Sequence, residues 1–179
     1  EAPHHLTTRI FDGVDDFVNI TSSSSPTSSL NFGNESFTAE LWIKKSNISQ
    51  TTSRIITKKN NAGDNSQGWS LGLSAGNFLF KLSDGTQSPV QLSVSDTSST
   101  IWTHIVATRK DNGNSDFYIN GLNVGSSSNT AKSNISSTSP LLIGRDVSGG
   151  NLFNGSIDNV RIYNRSLSAN QIYELYNSY

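Results

Sequence analysis

Four aspartates stand where a metal ion would find oxygen ligands. Asp12, Asp15 and Asp16 lie together in a turn-bearing stretch, and Asp158 interrupts an otherwise apolar β-like run. A buried carboxylate is costly unless it is paired or metal-bound, and hard oxygen ligands suit calcium. Two explanations stay open: a calcium site, or a solvated turn at Asp15 and Asp16 with Asp158 accepting backbone or arginine hydrogen bonds.

A second set of residues has the chemistry to bind a sugar, which needs an aromatic face and fixed polar groups. Trp69 follows a polar loop, and core packing is its alternative role. Arg145 and Asp146 enter a Gly-rich turn as donor and acceptor, unless they only pair with each other. Lys58 and Asn61 belong to a further polar loop whose residues border the same surface or are simply solvated. These five residues are the predicted ligand contacts.

Composition excludes several classes of function. The chain has 179 residues, 33% of them hydrophobic, and a net charge of −1, so no strong field attracts it to nucleic acid or an anionic membrane. It has no cysteine, which excludes disulfides and thiolate zinc sites. No apolar run approaches a membrane span. The N-terminal residues lack the pattern of a signal peptide. The chain contains no methionine, which predicts an excised fragment or a mature terminus.

Short β-rich runs alternate with turn clusters along the chain, which is typical of an antiparallel sandwich. The runs are Arg9–Ile20, Phe37–Lys44, Arg54–Lys58, Trp69–Ser74, Phe78–Ser83, Val90–Val94, Trp102–Arg109, Asp116–Ile119, Pro140–Ile143 and Gly155–Tyr163. Alternation in Phe37–Lys44 predicts one core-facing side. The Ser-rich run Thr21–Ser29 is predicted to be a surface connection.

The C-terminal residues have a helical pattern. Ser168 stands three residues before Gln171, a spacing that forms a capping box at a helix N-terminus. Ile172, Leu175 and Tyr176 then share one helical face. The sequence predicts a short helix that begins at Ser168 and seals one edge of the sandwich.

Five segments occur in the order of a known family: Phe11–Val18, Phe37–Lys44, Trp102–Ala107, Tyr118–Gly121 and Gly155–Ser168. In them the chain resembles the laminin-G-like, concanavalin A-like jelly rolls that accompany secreted glycanases, sialidases and adhesins. The resemblance implies an all-β fold, a two-sheet antiparallel jelly-roll sandwich with a short C-terminal helix, formed by residues 1–179 as one domain.

The resemblance also implies roles for single residues. Family members often carry a structural calcium that joins the first and last strands, which makes Asp12 and Asp158 the preferred ligands, with Asp15 or Asp16 added. Trp42 and Trp102 are expected in the core, and His104 is expected to be structural.

Catalysis is weighed against binding on the same resemblance. Glucanases of this fold place two glutamates around an aspartate on one strand, and the glutamates here lack that spacing: Glu1, Glu35, Glu40 and Glu174. Glu40 with a distant aspartate is the remaining enzymatic alternative.

The expected function is therefore a non-catalytic, extracellular, lectin-like module that binds a glycan or polysaccharide. The module is expected to be calcium-stabilised and part of a larger secreted or cell-surface protein, without nucleic-acid partners or membrane insertion. The alternatives are a module that adheres to a cell-surface protein, which would expose an apolar patch, and a glycan-degrading enzyme of the same fold.

Overall fold

The computed structural model describes residues 8–20, 30–63, 65–86, 89–98, 100–127 and 134–179. The strands in these ranges are β1 (Arg9–Asp12), β2 (Val18–Ile20), β3 (Phe37–Lys45), β4 (Ser53–Lys59), β5 (Gly68–Ser74), β6 (Asn77–Ser83), β7 (Val90–Ser95), β8 (Thr103–Arg109), β9 (Ser115–Ile119), β10 (Leu122–Ser127), β11 (Leu141–Ile143) and β12 (Asn154–Tyr163). The helix, α1, spans Ala169–Asn177. The predicted connection Thr21–Ser29 lies outside the described residues.

The strands form two six-stranded sheets that pack face to face. Sheet A has the order β1-β12-β3-β8-β9-β10, and sheet B has the order β2-β11-β4-β5-β6-β7. Neighbouring strands run antiparallel in both sheets, for example β3 with β8 in sheet A and β5 with β6 in sheet B. The predicted all-β, two-sheet sandwich with a C-terminal helix is confirmed.

The sequence and the structure differ in two places. The pattern over Arg9–Ile20 predicts one strand, but β1 joins sheet A and β2 joins sheet B. Gly13, at φ +78°, adopts the left-handed conformation that redirects the chain between them. Strand β10 is not predicted by the sequence, because its Asn, Gly and Ser residues have low strand propensity.

Strand β3 is buried on both faces. Phe37, Ala39, Leu41 and Ile43 pack between the sheets, which confirms the predicted alternation. The opposite face carries Thr38, Glu40 and Trp42, and these side chains are buried as well. Trp42 stacks on Tyr176 with 5.8 Å between ring centroids, so α1 contributes to covering this outer face.

Helix α1 begins as predicted. The Ser168 hydroxyl accepts the Gln171 N–H at 3.3 Å, and the Gln171 side chain accepts the Ser168 N–H at 3.0 Å. Ile172 packs with Val106 of β8 and Tyr118 of β9. The helix therefore covers the outer face of sheet A, which the sequence did not predict, and it also contacts β10, the edge strand of that sheet.

The three tryptophans have different environments. Trp69 and Trp42 are buried. Trp102 is only half-buried, since it precedes the first residue of β8 and lies outside the pleated strand. The expectation that Trp102 lies in the core is therefore wrong. Among the described residues, no helix has the length and apolar character needed to cross a membrane.

Candidate ligand-binding site

Trp69 is enclosed by the core. Only 1% of its surface is exposed, and its ring lies 5.0 Å from that of Phe37 between centroids. Trp69 lies on the inward face of β5 with Leu71 and Leu73, all members of one core cluster. A buried ring has no face for a sugar, so its predicted role as a binding platform is corrected in favour of core packing.

Lys58 is a structural residue. Its side chain is fully buried, and its Nζ donates to the carbonyls of Ser137 at 3.0 Å and Ser139 at 2.9 Å. Burial lowers the pKa of the Lys58 ammonium. The predicted ligand contact is corrected, because the donors of this ammonium are directed to the 137–139 segment of its own chain.

Asp146 is also used within the fold. It is buried and accepts hydrogen bonds from the Val147 N–H at 2.8 Å and the Asn151 Nδ2 at 3.3 Å. The Arg54 Nε lies 3.5 Å from the Oδ2 atom of this carboxylate. Asp146 therefore holds its Gly-rich turn and joins it to β4, which corrects its prediction as a sugar acceptor.

Arg145 does not join Asp146 in one site. Its guanidinium carbon lies 3.5 Å from the centroid of the Phe17 ring, and the side chain is half-buried. This stacking is a cation–π contact between the turn after β11 and the residue that precedes β2. A ligand contact by Arg145 stays a prediction.

Asn61 lies in an open groove at the end of sheet B where β4 and β5 meet. We call this feature the amide groove; its volume is about 640 Å³, and it is lined by Asn60, Asn61, Gly63, Asn65, Ser66, Gln67 and Gly85. Asn61 was predicted at a ligand-binding surface, whereas Asn65 and Gln67 were not. The signal for them was the continuation of the same polar turn up to Gly68, where β5 begins.

The shape of the amide groove is fixed by hydrogen bonds of Asn60 and Gln67. The Asn60 N–H donates to the Gln67 carbonyl at 2.9 Å, which closes the loop between β4 and β5. The Asn60 Oδ1 accepts the Ser137 hydroxyl at 2.8 Å and the Thr138 N–H at 3.1 Å. Gln67 donates from Nε2 to the Asn134 carbonyl at 3.0 Å. The loop is thus tied to the 134–138 segment.

The exposed part of the amide groove presents amides to solvent. Asn61 and Asn65 are exposed, whereas the Asn61 backbone N–H is fixed by the Ser66 hydroxyl at 2.7 Å. Each side-chain amide offers an oxygen acceptor and two N–H donors. The arrangement is therefore able to exchange hydrogen bonds with a polar, uncharged ligand.

Three of the four predicted metal ligands come together. One carboxylate oxygen from each of Asp12, Asp15 and Asp16 lies within 4.8 Å of the others. The Asp12 Oδ1 also accepts the Val14 N–H at 2.8 Å, and this hydrogen bond is the main cause that lowers the pKa of Asp12. Oxygen ligands lie about 2.3–2.6 Å from a calcium ion, so two ligand oxygens of one ion are at most about 5 Å from each other. The spacing of the three aspartate oxygens therefore fits one ion.

Asp158 does not belong to this cluster. Asp12 pairs with Asn154 in the register of β1 and β12, so Asp158 lies four residues farther along β12, or about 13 Å away. A bulge follows Asp158, and its carboxylate accepts the Thr8 hydroxyl at 2.8 Å and the Asn159 N–H at 2.6 Å. A calcium ion shared by Asp12 and Asp158 is therefore contradicted by the register.

Calcium binding by the remaining three aspartates stays a prediction. Calcium is expected to raise the melting temperature relative to a chelator, because a ligand of the native state stabilises it by mass action. Asp15→Asn should remove most of this rise, and Asp158→Asn, the matched control, should leave it unchanged. Differential scanning fluorimetry measures both. Equal melting temperatures of the wild type in calcium and in chelator would refute the site.

Glu40, the enzymatic alternative, is enclosed by partners. Its exposed fraction is 0%, and it binds the His104 Nε2 at 3.2 Å, the Arg161 Nη1 at 3.3 Å and the Tyr163 hydroxyl at 2.7 Å. Burial, followed by the hydrogen bond to Glu40, raises the pKa of Tyr163 to about 12. This network lies between sheet A and the residues of α1. His104 takes part in it through its contacts with Glu40 and Tyr176, as expected for a structural histidine.

Comparison of the chain with known protein families agrees with the two-sheet fold. A family model described as "Concanavalin A-like lectin/glucanases superfamily" matches residues 12–173. Paraclostridial mosquitocidal protein 1 of Paraclostridium bifermentans is 26% identical over 164 residues, which cover 84% of this chain and 13% of that protein.

Some of the solved structures with this fold are binding domains. That of Paraclostridial mosquitocidal protein 1 has a TM-score of 0.70 and 26% identity, and the match covers 98% of this chain and 46% of that one. Binding domains of botulinum neurotoxin DC have been solved with rat synaptotagmin II (TM-score 0.71, 21% identity) and with SialylT (0.70, 20%). Each of these matches covers 94% of this chain and 42% of the neurotoxin domain. The chain thus spans less than half of these domains.

Proposed function

The chain belongs to the concanavalin A-like lectin/glucanase superfamily, and on that basis we propose that it is a non-catalytic module that binds a glycan through the amide groove. The module acts outside the cell as part of a larger secreted or surface protein. The mosquitocidal relative, of which this chain matches a small part, has a binding domain of the same fold.

The observation that carries this proposal is the chemistry of the amide groove. Asn61 and Asn65 are exposed beside Asn60 and Gln67, whose hydrogen bonds hold the loop in place. Sugar hydroxyls both donate and accept, and amides match them in both roles. A loop that is already fixed loses little conformational freedom on binding, which favours affinity.

The environment of Glu40 supports a non-catalytic role. A glycosidase needs two carboxyl groups on either side of a substrate bond. Glu40 is fully buried, and its oxygens are occupied by His104, Arg161 and Tyr163. A substrate would have to displace these contacts before it reached the carboxylate.

Removal of two groove amides is expected to weaken glycan binding. The variant with Asn61→Ala and Asn65→Ala should bind about 10-fold or more weakly, since each lost hydrogen bond contributes about 0.5–1.5 kcal/mol and about 1.4 kcal/mol is a factor of ten. Biolayer interferometry against a glycan selected by the wild type measures the change. Both residues are exposed, so the melting temperature should stay the same.

The matched control is Asn170→Ala, which removes an exposed amide from α1 on the other sheet. Its glycan affinity should equal that of the wild type. If the double variant and the control bound the glycan with equal affinity, the glycan would be bound elsewhere on the chain. A protein ligand in place of a glycan would favour the adhesion alternative.

A further inference from the structure

A second pocket lies on the other sheet, between β9, β10 and the residues that lead into α1. Its volume is about 580 Å³, and its polar lining includes Lys110, Asp116, Asn123 and Ser126, with Tyr118 among the remaining residues. We propose that this pocket, which we call the ion-pair pocket, is a separate site for a neutral polyhydroxylated ligand such as a sugar ring. The inference goes beyond the proposed function because it adds a site that shares no lining residue with the amide groove.

The ion-pair pocket holds a donor and an acceptor side by side. The Lys110 Nζ lies 2.6 Å from the Asp116 Oδ2, with 44% of the lysine side chain and 8% of the aspartate side chain exposed. The Ser126 hydroxyl donates to the Asp116 Oδ1 at 2.7 Å, which fixes the carboxylate on its second oxygen. The hydrogen bond to Asp116 raises the pKa of Lys110, which keeps the ammonium charged.

The side chains of this pocket project from regular structure. Asp116 and Tyr118 lie on β9, and Lys110 directly follows β8. Strand β10 has a register irregularity between Asn123 and Gly125, where the Asn123 Oδ1 accepts the Gly125 N–H at 3.1 Å. Bulges of this kind re-aim side chains next to functional sites.

The charges of the pocket select the class of ligand. One lysine and one aspartate sum to zero, so an anion would meet the Asp116 carboxylate and a cation would meet the Lys110 ammonium. A neutral diol avoids both repulsions: one hydroxyl accepts from the ammonium, and its neighbour donates to a second lone pair of the Asp116 carboxylate, whose oxygens already accept from Lys110 and Ser126. The Asn123 Nδ2 donates to the Ser126 hydroxyl at 3.4 Å, and the second N–H of this amide is a further donor in the pocket lining.

The test is a two-dimensional amide NMR titration of the intact chain with lactose, maltose and cellobiose, and with glucose 6-phosphate as the anionic probe. At least one neutral disaccharide should give saturable shifts of the amides of Asp116, Asn123 and Ser126. Asp116→Asn and Lys110→Met should each weaken binding, measured from these shifts, by about 10-fold or more, because each variant loses a hydrogen bond to a charged group and such bonds are stronger than those between neutral groups. The dispersion of the same spectra reports whether each variant is folded. Lys110 is the more exposed partner of the ion pair, so Lys110→Met should disturb the fold less than Asp116→Asn.

The double variant Asn61→Ala, Asn65→Ala separates this site from the amide groove, because it should leave the shifts in the ion-pair pocket unchanged. The inference is overturned by the absence of saturable shifts there with all three neutral sugars up to their solubility limits. It is also overturned by equal binding of glucose 6-phosphate, or by full binding in folded Asp116→Asn and Lys110→Met.

Discussion

Trp69→Ala is expected to lower the free energy of unfolding by about 3–5 kcal/mol, the usual cost of truncating a large aromatic side chain in a core. Trp69 is 1% exposed and packs on Phe37, so alanine would leave a cavity between the sheets. Its Nε1 makes no hydrogen bond among the described residues, so the loss is one of packing. Urea unfolding measures the change.

The control for Trp69 is Trp102→Ala. Trp102 is half-buried and stands before β8, so its replacement should cost much less. If Trp69→Ala instead kept full stability and lost glycan binding, the ring would be a ligand platform. The placement of the site in the amide groove would then be wrong.

Glu40→Ala should lower the free energy of unfolding by about 3–5 kcal/mol, the typical cost of removing one partner of a buried ionic network. The change leaves the buried His104 and the Tyr163 hydroxyl without their carboxylate acceptor. Ring contacts of His104 and Trp42 with Tyr176 extend the same region to α1. Thermal and urea unfolding should therefore both show the loss.

Glu174→Ala, on the exposed face of α1, is the control and should change stability little. If Glu40→Ala folded with wild-type stability and a glycan-hydrolysing activity of the wild type disappeared, Glu40 would be a catalytic residue.

The fold was largely predictable because alternation and turn residues are local signals. The strand Phe37–Lys44 and the capping box at Ser168 depend on neighbours within a few positions, and the structure confirms both predictions. The placement of α1 was not predictable in this way, since the apolar face that it covers is assembled from β8 and β9, which are distant from it in sequence.

The candidate site was less predictable because side-chain direction depends on register. Lys58 pairs with the inward-facing Trp69, so both side chains are buried despite a polar loop next to them. Asp158 was expected beside Asp12, but the register of β1 and β12 pairs Asp12 with Asn154 and places Asp158 four residues farther along β12. Asn61 borders an accessible surface as expected, because it lies in the loop itself and no strand pairing constrains it.

The most direct test of glycan binding through the amide groove is a glycan-array screen of the wild-type chain beside the Asn61→Ala, Asn65→Ala variant. We expect the wild type to select a related group of glycans and the double variant, with the same melting temperature, to lose most of that signal. A folded wild-type chain that binds no glycan on the array, or a double variant with an undiminished signal, would contradict glycan binding through the amide groove.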